Sequence, residues 1–83
     1  MNIILHPHAK QRAAERGASE EEVIQTVNDG EQFPAKFDRM GFRMNFQFEN
    51  MWNGQFYFTK QIELFAKPEN DSWIVITLIV KYF

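Results

Sequence analysis

From Phe33 onward the apolar residues recur at every second position, and this alternation dictates what most of the chain can become. Phe42, Met44, Phe46 and Phe48 alternate with Arg43, Asn45, Gln47 and Glu49. That is the pattern of a strand with one face buried. Phe56, Phe58, Lys60, Ile62 and Leu64 alternate with Tyr57, Thr59, Gln61, Glu63 and Phe65, which predicts a second long strand. Trp73–Phe83 is β-branched and apolar on both faces and reads as a central strand. Asn50–Gly54 reads as a turn, and Lys67-Pro68-Glu69-Asn70-Asp71 as a hairpin loop. A weaker strand over Gln32–Asp38 carries Pro34, which places it at a sheet edge.

Residues 1–30 follow the helical period instead. Pro7 suits the first turn of a helix, where a missing N–H costs nothing. His8–Arg16 is rich in Ala, Gln, Arg and Glu, all good helix formers, and Gly17 ends it as a left-handed cap. Ser19 with Glu22 matches the Ser-x-x-Glu capping box and opens a second helix over about 19–29. Gly30 closes it. Ile3, Ile4 and Leu5 form either a short strand or an apolar plug. The expectation is an α+β fold: a helical hairpin over 1–30, then a three- or four-stranded antiparallel sheet over 31–83 with both helices on one face.

At 83 residues the chain is sized for one domain. An apolar content of 45% with a net charge of −2 excludes a disordered chain. With no cysteine, neither a disulfide framework nor a Cys-based zinc site exists, which fits a cytoplasmic protein. Met1–His6 lacks the basic region and long apolar core of a signal peptide. Trp73–Val80 is far too short for a membrane-spanning helix. A sequence pI near 5.6 argues against a generally basic nucleic-acid binder, so RNA contact requires a local basic patch. The Phe-rich strands favour a homodimer, because exposed apolar patches often mark interfaces.

Several residues are candidates for chemistry. His8, Arg12 and Arg16 are spaced by four and share one helix stripe. An imidazole with two guanidiniums suits contact with a phosphate and proton transfer near neutral pH. Alternatively the arginines pair with the acidic second helix. His6 and His8 lack the further partners a metal needs, and no metal or cofactor is expected. Lys60 is the odd residue on an otherwise apolar strand face: it either snorkels to the sheet edge or enters a polar pocket as a point charge. Thr77 interrupts the last apolar run. Tyr82 suits a proton donor, a stacking platform or a core residue with a wet hydroxyl. No nucleophile elbow and no Gly-rich phosphate loop is present.

His8-Ala9, Arg12, Glu15-Arg16-Gly17 and Ser19-Glu20-Glu21-Glu22-Val23 resemble the opening of the small bacterial family known as domain of unknown function 4258. Tyr57-x-x-Lys60-Gln61-Ile62-Glu63 and Ile74-Val75-Ile76-Thr77 extend the resemblance. That family is regarded as similar to RelE/ParE-like and barnase-like toxin folds. The resemblance implies a metal-independent endoribonuclease of a toxin–antitoxin type, with RNA and an antitoxin protein as partners. It would make His8, Lys60, Tyr82 and Thr77 catalytic and Arg12 and Arg16 substrate-binding. The alternatives are a non-catalytic protein-interaction module or a weak RNA-binding domain.

Overall fold

The computed structural model describes Met1–Phe83. Strand β1 (Asn2–Leu5) precedes helices α1 (Pro7–Arg16) and α2 (Glu20–Asp29). Strands β2 (Glu31–Pro34), β3 (Met40–Trp52), β4 (Gln55–Glu69) and β5 (Ser72–Tyr82) follow. They form one sheet in the order β1-β5-β4-β3-β2. All neighbours are antiparallel except β1 and β5, which pair in parallel from Asn2–Ser72 to Leu5–Val75.

The fold is α+β, but the expected three- or four-stranded antiparallel sheet is replaced by a five-stranded mixed one. The added strand is Ile3-Ile4-Leu5, which is too short for its own periodicity to reveal a partner. It completes the pairing of β5 at the end where β5 begins. β5 is therefore interior, while β4 holds the centre. β2 runs along the edge, as Pro34 requires. The turns are tighter than the sequence alone indicates. β3 reaches Trp52, and only Asn53 (φ 50°) and Gly54 (φ 82°) make the bend, the left-handed pair of a two-residue hairpin. β4 likewise runs through Lys67 and Pro68 to Glu69.

The helices do not pair as a hairpin either. α1 rests on β5 and β1, whereas α2 rests on β3 and β4. Each helix finds more apolar surface on the sheet than on the other. Ala9 and Ala13 are the buried side chains of α1, and their small size lets the helix lie close to β5. His6 caps it, its Nδ1 accepting from the His8 amide at 3.1 Å. α2 opens with a complete capping box: Ser19 Oγ accepts from the Glu22 amide and Glu22 Oε1 from the Ser19 amide, both at 3.0 Å. It buries Val23, Thr26 and Val27.

Both helices cover the same sheet face, where Lys60, Ile62, Leu64 and Ala66 of β4 are all buried. Leu5, Phe42, Val75 and Leu78 complete this core. Each large aliphatic side chain enclosed there stabilises the fold by about 1.5–3 kcal/mol. The other face carries no helix. A bulge between Gln47 and Asn50 sets two residues of β3 against one of β4, with Glu49 at φ 45°. It bends the distal part of the β3–β4 hairpin.

Gly17 joins the helices at φ 80°, and a Cβ there would lie 2.6 Å from the Tyr82 hydroxyl and 2.7 Å from the Trp52 ring. Gly17→Ala should therefore destabilise the protein by more than the ~1 kcal/mol of a purely conformational penalty. In a domain of this size the melting temperature should drop by at least ~4 °C, measured by circular dichroism.

Candidate functional site

Lys60 of β4 and Tyr82 of β5 are register partners, so their side chains stand together on the helix-covered face. Both reach the α1–α2 junction. The Lys60 ammonium donates to the Gly17 carbonyl at 2.9 Å and to Glu22 Oε1 at 2.8 Å. Lys60 is only 7% exposed. Its Nζ also lies 5.3 Å from the centre of the Phe48 ring. The Tyr82 hydroxyl donates to the Arg16 carbonyl at 2.6 Å. These bonds satisfy helix-end carbonyls that α1 itself leaves without partners.

An aromatic wall encloses the junction. Trp52 stacks on Tyr82 with ring centres 4.9 Å apart, Phe48 meets it edge-on at 5.1 Å, and Tyr57 lies 5.7 Å away. Burial raises the Tyr82 pKa above 10.0 and the nearby Glu22 charge adds to this, so the phenol stays neutral and keeps its hydrogen bond. For Glu22, burial pushes the pKa upward. The hydrogen bond from Lys60, the bond from the Ser19 amide and the lysine's charge outweigh it, and the net shift is downward. Glu22 is thus a carboxylate with two duties, closing the capping box and neutralising Lys60.

The six residues singled out from the sequence do not gather around one hollow. Lys60 neither snorkels nor opens onto solvent; it is enclosed by Gly17, Glu22 and Phe48. Tyr82 joins it there, but both polar ends already bind the protein. Thr77 pairs with Phe65, on the opposite, helix-free face. His8 is exposed near the start of α1, two helical turns or ~12 Å along the axis from Arg16. Arg12 pairs with Glu15 of its own helix at 3.7 Å rather than with α2, and Arg16 makes no ion pair. No three His, Asp or Glu side chains come together as metal ligands.

The one hollow on the surface, of about 410 Å³, lies where β2 leaves α2 and contains none of the six. Arg43 lines it, held by Glu31 at 3.6 Å and Glu63 at 3.4 Å.

Sequence reasoning missed Glu22 as the counter-ion of Lys60 and Trp52, Phe48 and Tyr57 as a wall. The available signal was a lysine on an apolar face in a chain whose capping-box glutamate carries a charge that one backbone N–H does not neutralise. No family model, curated protein or solved structure matches this chain.

Removing one member of a largely buried pair leaves the other without its partner. Lys60→Met should cost about 2–3 kcal/mol, below the fully buried range because Glu22 is partly exposed. Glu22 should make the fold acid-sensitive. Its lowered folded pKa contributes stability that is complete above the ordinary 4.5 and is lost as the pH falls through the folded value. Urea titrations at pH 7 and at pH below 4 should show this loss, and Glu22→Gln should flatten that part of the profile.

Proposed function

We infer that this protein is a non-catalytic interaction module whose contact surface is made of apolar side chains that the helices leave uncovered. The observation that carries this is the set of large apolar side chains standing in solvent on the β3–β4 hairpin and the sheet. Phe58 is 66% exposed and Phe56 is 48% exposed, the two rings in edge-on contact at 5.1 Å. Met51 pairs with Phe56 across the hairpin and is exposed as well. On the helix-free face of the sheet stand Ile4, Phe33, Phe65 and Ile79, partly or fully open to solvent. A small domain does not keep so many uncovered apolar groups without a role for them, because they favour association.

The side chains that the ribonuclease reading needs are otherwise engaged. Lys60 and Tyr82 hold the helix junction, and Thr77 faces away from them. That reading retains His8, Arg12 and Arg16 as a solvent-facing stripe of α1. A stripe of this kind holds a phosphate more readily than it completes a general acid–base pair.

Two measurements separate the readings. Incubated with RNA in EDTA, the purified protein should leave the RNA intact, and any RNA binding should be weak. In cells, a photo-crosslinking residue in place of Phe58 should give protein adducts, whereas one in place of Gln11 on α1 should give none. Metal-independent cleavage that His8→Ala abolishes, with RNA adducts from α1, would overturn the module and restore the nuclease.

A further inference from the structure

β2 and β3 differ greatly in length. β2 pairs with residues 40–43 only, while β3 runs on to Trp52. Level with Arg43 the neighbouring chain leaves the sheet at Gly30, where α2 ends. From there on, no strand lies beside β3 on that side.

The alternation of an antiparallel ladder tells which groups face this empty lane. Phe83 and Thr59 exchange both backbone hydrogen bonds, so Gln61 and Glu63 also bond toward β5. Lys60 and Ile62 therefore bond toward β3, to Phe46 and Met44. Arg43, Asn45 and Gln47 turn their amides and carbonyls the other way. Those of Arg43 meet Glu31 of β2. Those of Asn45 and Gln47 meet no strand, and both residues are exposed. Sheet edges are usually blunted by a proline, a charge or a bulge. Pro34 serves β2, and the bulge with Glu49 serves β3 beyond Gln47. Residues 44–47, Met-Asn-Phe-Gln, carry no such device.

The surface hollow of about 410 Å³ lies at the same place, lined by Asp29, Gly30, Glu31, Arg43, Asn45 and Gln61. It is the near end of the lane, and its volume is in the range of ligand clefts.

We propose that an extended segment of a partner protein, bearing a lysine or arginine, adds to the sheet beside residues 44–47. The proposal goes beyond the apolar contact surface and does not depend on it. Only an extended backbone presents donors and acceptors at the spacing of Asn45 and Gln47. The charge of the hollow selects the side chain. Glu31 and Glu63 already hold Arg43, whose guanidinium also lies 4.7 Å from the centre of the Phe33 ring. Asp29 has no ion pair, so the hollow is left negative. The segment's residue opposite Asn45 enters the hollow that Asp29 lines, and a cation there meets an unopposed carboxylate. A second copy's β3 does not fit. Paired about Phe46, it would run on past Gln47 into the place that Glu31 already fills.

Selection of a displayed library of random short peptides against the full chain tests this. Peptides with a lysine or arginine at one fixed place should be enriched. Methylating the amides of the best peptide one at a time should weaken binding at least tenfold at alternate positions and leave those between unchanged. Gln47→Pro removes an amide that only the lane uses, so the fold should persist, which near-ultraviolet circular dichroism of the Trp52–Tyr82 stack checks. Peptide binding should fall at least tenfold. Should that variant fail to fold, the methylation series decides alone. Asp29→Lys should weaken the basic peptide similarly and accept instead a peptide with glutamate in place of the cation.

Failure to enrich any peptide would overturn strand addition, as would binding that ignores Gln47→Pro or lacks the alternation. Peptides that use the edge but ignore the charge at position 29 would overturn the basic partner. With the edge refuted, protein adducts from the position-58 crosslinker leave the interaction module standing. Cut RNA with no protein adducts would end both.

Discussion

A single ammonium group fixes how the two layers of this protein meet. Lys60 rises from the central strand into the gap between the helices and binds the last carbonyl of the α1 turn and the first-turn carboxylate of α2. An uncompensated charge there would be costly, so the acceptors must be present together. That requirement fixes the position of the helix junction over β4 more narrowly than apolar packing does, because dispersion contacts tolerate sliding and a charged hydrogen bond does not. Tyr82 repeats the constraint one strand away, bonding the carbonyl of the preceding residue. Gly17 can pass between these groups only because it has no side chain.

Much of this arrangement was legible in the residues, and the illegible part has definable causes. Capping signals are local chemistry, so Pro7, Gly17 and the Ser19–Glu22 box mark the helix ends directly. Alternation likewise marks β3 and β4, because a long half-buried strand repeats its pattern many times. Ile3-Ile4-Leu5 offers one and a half repeats, and its partner begins at Ser72, so nothing nearby in the chain announces a parallel edge strand. The helices fail to pair for a related reason. Two short amphipathic segments joined by two residues suit a hairpin equally well, and only the breadth of the sheet decides otherwise.

The candidate site divides along the same line. Lys60 is conspicuous in the sequence as a charge on an apolar face, yet two destinations fit that observation, and the actual one depends on Glu22, 38 residues earlier. Thr77 shifts for a different reason. A bulge between Phe65 and Ala66 leaves Ile76 without an opposite residue and changes which side the following residues present. Counting by twos from Val75 across the bulge therefore misplaces Thr77, whereas counting back from Tyr82 does not. The two sheet faces consequently differ in kind. One is closed by helices and tied by a buried charge, and the other is left open, with Phe65 and Ile79 standing among Arg43, Glu63 and Gln61.

The parallel pairing of β1 with β5 also constrains how the molecule can assemble. Every other strand has a neighbour adjacent in the chain, and the long hairpin of β3 and β4 can zip from its Asn53-Gly54 bend outward. β1 cannot dock until the chain has been extended through Val75, so closing that ladder means closing a loop that contains nearly the whole protein. During synthesis on the ribosome, Ile3 and Leu5 must wait uncovered while α1 has only half its seat. Completion of the sheet is thus a late event, and a nascent chain arrested before β5 emerges would present an unfinished fold to chaperones and proteases.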